Sequence, residues 1–85
     1  MGEGPHRYRA DVLRLLHAHG VAPRPSTPPE LVHEFVSDLY RFEIRRLRGR
    51  LLAKEFPRGE YAGRVATLRQ RYRVISMRPH EWLEA

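Results

Sequence analysis

Residues 27–55 read TPPELVHEFVSDLYRFEIRRLRGRLLAKE, and their pattern decides the fold. Thr27-Pro28-Pro29-Glu30 is a helix start. A hydroxyl stands at the cap, a proline occupies the first turn where its missing N–H costs nothing, and a glutamate three residues after the cap reaches back to it. The pattern predicts a helix over residues 28–55 with Thr27 as its cap, long for a small globular protein. Leu31, Phe35, Leu39 and Phe42 form one apolar line along it, and Val32, Val36, Tyr40, Ile44, Leu47 and Leu51 form a neighbouring one. The apolar centre shifts by roughly a third of a turn between the two halves, so the helix bends, with Gly49 as the weak point, or meets different partners at its two ends.

Working outward, Phe56-Pro57-Arg58-Gly59 breaks this helix. Tyr61, Val65, Leu68 and Tyr72 repeat at helical spacing and predict a third helix over residues 58–73. On the N-terminal side, Tyr8, Val12, Leu15, Leu16 and His19 share one arc, which predicts a first helix over residues 7–19, stopped by Gly20 and Pro23. Residues 21–27 are a proline-rich connector, and residues 1–6 are expected to be flexible. Val74–Met77 is expected to be extended, and Pro79 starts a last turn presenting Trp82 and Leu83 to the core. The expected fold is all-α: a single domain of three helices, the long central one forming an antiparallel hairpin with the third, plus a short C-terminal turn. Leu47, Leu51, Val65, Leu68 and Tyr72 are its expected core.

A chain of 85 residues buries only about 60–65% of its unfolded surface, so its core is modest. It has no cysteine, hence no disulfide and no thiolate metal site. No apolar stretch approaches the roughly 18 residues of a membrane span. The first residues resemble neither a signal peptide nor a myristoylation site, so the cytoplasm is the expected setting.

Charge is unevenly distributed. Residues 1–40 hold four arginines against five acids, and residues 79–85 add two acids. Residues 41–78 hold eleven arginines and Lys54 against Glu43, Glu55 and Glu60, a net +9 in a chain whose total is +6. A concentrated field attracts anions better than scattered charge. The preference for arginine over lysine also fits a GC-rich genome or a thermophile, which dilutes the meaning of basicity alone.

Catalytic patterns fail one by one. His33-Glu34 opens like a zinc-protease helix, but Ser37 stands where its second histidine belongs. His17 and His19 point about 200° apart on a helix and cannot share a metal, and His19 reads as a packing residue. No serine occupies a nucleophile elbow, and no glycine-rich phosphate loop exists. The expectation is a non-enzyme with no cofactor, no metal and no small-molecule substrate.

The stronger constellation is on the third helix. Arg64, Thr67 and Arg71 fall at i, i+3 and i+7, with Gln70 beside them, on the face expected to lie away from the core line. Arginine, glutamine and threonine are side chains that read base edges in a major groove, and Arg45, Arg48 and Arg58 would hold the backbone nearby. The leading expectation is therefore a binding module for DNA or RNA. The alternative is a protein-interaction or assembly subunit, either a helical-hairpin dimer or an accessory chain of a larger complex. An anionic membrane surface is a weaker third partner for the basic segment 41–54. Glu43 lies inside the apolar arc and Arg46 at its edge. They are expected to pair with each other on the surface, the other reading being an ion pair across a helix interface.

Overall fold

The computed structural model describes residues 4–85. The chain is all-α, with α1 (Ala10–His17), α2 (Pro29–Leu52) and α3 (Tyr61–Arg71), and with 3₁₀ turns at Arg58–Glu60, Arg73–Ser76 and Pro79–Trp82. α2 and α3 form the hairpin. α1 and the two C-terminal turns pack together around the N-terminal half of α2 and the end of α3.

The helix starts depart from expectation for identifiable reasons. α2 begins at Pro29, with Pro28 as an extended cap residue (ψ 134°) and no side-chain cap bond. Pro28 itself precedes a proline, whose ring excludes the helical region for the residue before it. Thr27 has another use. Its Oγ1 accepts the Arg24 N–H at 3.1 Å and its N–H donates to the Arg24 carbonyl at 2.9 Å, closing a turn in the connector. α1 begins at Ala10 rather than Arg7 because residues 7–9 pair with the C-terminus. The Arg9 N–H donates to the Trp82 carbonyl and the Glu84 N–H to the Arg7 carbonyl, both at 2.8 Å, flanking an antiparallel bridge between Tyr8 and Leu83. Residues 1–3 of the expected flexible start lie outside the described residues, and the His6 N–H is held by the Pro25 carbonyl at 3.0 Å.

Two helices end in the same left-handed cap. After α1, Gly20 (φ 76°) donates to His17, and Val21 to Leu16. After α2, Lys54 takes the left-handed position (φ 60°), donating to Leu51 while Glu55 donates to Arg50, so α2 stops at Leu52. Of the segment expected to be extended, only Met77 is so, and Val74, Ile75 and Ser76 belong instead to the 3₁₀ turn Arg73–Ser76. It is held in part by Trp82, fully buried, whose Nε1–H donates to the Val74 carbonyl at 3.1 Å. The His33 Nε2–H reaches the carbonyls of Ile75 and Met77, both at 3.0 Å, and the ring packs on Trp82.

The main core gathers Tyr8, Val12, Leu16, Val32, Val36, Leu68, Tyr72, Val74 and Trp82. Leu47 and Phe56 are buried outside that cluster, toward the closed end of the hairpin. Leu51 and Val65, expected in the core, are only half-buried. Leu31, Phe35 and Phe42 are 59%, 54% and 54% exposed, so this apolar line of α2 faces outward. The described residues span 49 × 17 × 16 Å with a radius of gyration of 15.4 Å, against about 12 Å for a compact chain of this length. The basic half of the hairpin is thus an arm only two helices thick.

Candidate functional site

A groove of about 680 Å³ runs between α2 and α3, lined from α2 by Glu43, Arg46, Leu47 and Arg50 and from the other side by Gly59, Glu60, Gly63, Arg64, Thr67, Leu68 and Arg71. Antiparallel pairing creates it. Leu47 and Leu68 are buried at its base, Gly59 and Gly63 leave open space at their own positions on the α3 side, and arginines rise on both sides.

Its four arginines are in two states. Arg50 Nε bonds Glu55 Oε1 at 3.0 Å. Arg64 bonds Glu60 Oε1 through Nε at 3.3 Å and Nη2 at 3.1 Å, and its guanidinium lies 4.2 Å from the Phe56 ring centre. Arg46 and Arg71 meet no carboxylate within ion-pair distance among the described residues. Glu43 does not pair with Arg46. Its Oε2 accepts the Tyr72 hydroxyl at 3.2 Å, because the arc that holds Glu43 faces α3 rather than solvent. Burial pushes the Tyr72 hydroxyl above its ordinary pKa. The Glu43 charge and hydrogen bond push the same way, and the Arg71 charge opposes them.

Three of the expected site residues, Arg64, Thr67 and Arg71, come together in this groove. They occupy the flank of α3, about a quarter turn from the Leu68–Tyr72 line rather than opposite it. Arg64 is tied to Glu60 and Phe56, and the Thr67 hydroxyl donates to the Gly63 carbonyl at 3.1 Å. The other four lie elsewhere. Gln70 lines a separate recess of about 370 Å³ with Tyr40, Arg69, Tyr72 and Arg73. Arg45 and Arg48 are exposed on the side of α2 about 150° from the groove, and Arg58 is exposed in the turn before α3. Arg46 and Arg50 complete the groove and were not among the expected residues. Arg46 carried a signal, a charge at the edge of an apolar arc, whereas Arg50 carried none, since its role depends on which helix packs opposite.

His19 and His33 both make packing and backbone contacts. His19 stacks on Tyr72 with ring centres 4.1 Å apart, and its Nε2 bonds the Arg71 carbonyl at 2.8 Å. No helix among the described residues is long and apolar enough to cross a membrane. No family model, no curated protein and no solved structure matches this chain.

Proposed function

We propose that the chain is a non-catalytic module that grips the sugar–phosphate backbone of DNA or RNA with the basic arm of its helical hairpin, in a cytoplasmic setting. The observation that carries this reading is the imbalance within the arm. Of the twelve basic groups in residues 41–78, only Arg41, Arg50 and Arg64 meet a carboxylate within ion-pair distance among the described residues. Seven of the rest lie on the two-helix hairpin, with Arg46 and Arg71 across one groove and Arg45 and Arg48 on the far side of α2, while Arg73 and Arg78 lie in the C-terminal turns. Such an array suits a polyanion that runs along or wraps the arm. Phosphate contacts of this kind supply affinity without sequence information. With Arg64 and Thr67 held by neighbours in the chain, base reading by α3 is not part of the proposal.

The test is direct binding of duplex and single-stranded oligonucleotides at near-physiological salt by the wild-type chain and by Arg46→Ala/Arg71→Ala. The reading expects binding of about 1–100 μM, weakened about equally for all sequences by the double substitution. Binding that is absent, or unchanged by the double substitution, contradicts it.

A further inference from the structure

One face of α2 is left uncovered among the described residues. Leu31, Phe35 and Phe42 stand exposed along about 16 Å of the helix, where a helix of a compact protein would be covered. They share one arc at 100° per residue, beside the half-buried Leu39. One border of that arc carries charges in a fixed order: Glu30 and Glu34 in the N-terminal half, Arg41 and Arg45 in the C-terminal half, all exposed. Glu30, Glu34 and Arg45 have no ion-pair partner among the described residues, and Arg41 pairs only with exposed Asp38.

We propose that this face joins two copies of the chain into a dimer, with the two α2 helices antiparallel about a two-fold axis near Asp38. A two-fold axis sets one patch against itself, reversed. The acidic half of the border therefore meets the basic half of the same border on the other copy. A single register satisfies both charge pairs: Glu34 opposite Arg41 and Glu30 opposite Arg45 of the second copy. The same register seats Phe42 between Leu31 and Phe35 of the second copy, so the apolar and charged patterns agree. In a parallel pair the two-fold axis runs along the helices, so the charged border lies across from the opposite border, which carries Leu39 and Arg46, and none of these charge pairs forms. The order of charges thus selects both the occupant and its direction. The two Asp38 side chains come near the axis, where each is already met by Arg41 of its own chain. The interface lies outside the α2–α3 groove; it takes up Arg45 but leaves Arg46, Arg48 and Arg71 open to a polyanion, so it does not rest on the nucleic-acid reading.

The experiment is sedimentation equilibrium of the full chain over about a hundredfold range of concentration. It compares wild type with Phe35→Glu, Glu34→Arg, Arg41→Glu and an equimolar mixture of the last two, with Trp82 fluorescence confirming that each is folded. The wild type is expected to dimerise in the micromolar range. Phe35→Glu is expected to weaken dimerisation by about thirtyfold or more, as for a central anchor. Each charge reversal sets like charges together and is expected to weaken self-association by about tenfold. The mixture restores both opposite-charge pairs and is expected to dimerise as heterodimer at close to wild-type strength. Three results each overturn the proposal: a wild type monomeric throughout, which leaves the face to a different protein; a dimer indifferent to Phe35→Glu; and a mixture no stronger than its components.

Discussion

The hydroxyl of Tyr72 donates to Oε2 of Glu43 across 3.2 Å, joining the end of α3 to the middle of α2 at the rim of the arginine groove. The bond depends on the phenol staying protonated. Burial first, then the Glu43 carboxylate, raise the Tyr72 pKa above its ordinary 10.0. Burial and the Glu30 carboxylate do the same for Tyr8, whose hydroxyl donates to the Thr27 carbonyl. A phenol with a raised folded pKa contributes stability that is complete below the unfolded value and is lost as pH rises through the folded one. Stability measured by Trp82 fluorescence should therefore hold up to about pH 10 and fall above it. Tyr72→Phe should flatten that fall, and a variant as alkali-sensitive as wild type contradicts the linkage.

Core substitutions should separate by burial. Leu16→Ala, at a fully buried position, and Leu68→Ala should each cost about 2–5 kcal/mol in denaturant unfolding. Leu51→Ala and Val65→Ala, both half-buried, should cost about 1 kcal/mol each. Equal losses at all four positions would mean that the hairpin arm is packed as tightly as the main core.

Lys54 sits at φ 60°, where a side chain costs about 1–2 kcal/mol and glycine almost nothing. Lys54→Gly should raise stability by about 0.5–1 kcal/mol after glycine's extra unfolded-state entropy is counted, while Lys54→Ala should not. A destabilised glycine variant would show that the α2 cap is not left-handed in solution.

His33 donates to two carbonyls of the C-terminal segment, and its ring packs on Trp82. His33→Ala leaves those carbonyls unpaired and should cost about 1–3 kcal/mol. Hydrogen exchange should quicken in residues 73–83 more than in α3. Uniform quickening along the chain contradicts a local clasp.

The stripes that build the helices were legible because each obeys a local period. Tyr61, Val65, Leu68 and Tyr72 mark α3, and Val32 and Val36 mark the buried side of α2. Three features were not legible because each depends on a distant partner. Residues 7–9 have helical patterning but pair with residues 82–84. Thr27 has the chemistry of a cap but closes a turn on Arg24, since Pro28 stands before another proline. Leu31, Phe35 and Phe42 have core character but face outward, because none of the described residues covers them. In the groove, Arg64, Thr67 and Arg71 announce themselves by spacing on one helix, whereas Arg46 and Arg50 join them only through the pairing of α2 with α3.

The central claim, that the hairpin arm grips a nucleic-acid backbone, is tested most directly by the salt dependence of its binding to duplex DNA and RNA. Each phosphate neutralised by an arginine releases condensed cations, so log affinity should fall linearly with log salt. A slope of about −4 to −6 corresponds to some four to seven phosphate contacts on a duplex, and Arg46→Ala or Arg71→Ala should each flatten it by about one. No detectable binding of duplex or single strands near 150 mM salt, or a slope untouched by both substitutions, would contradict the account.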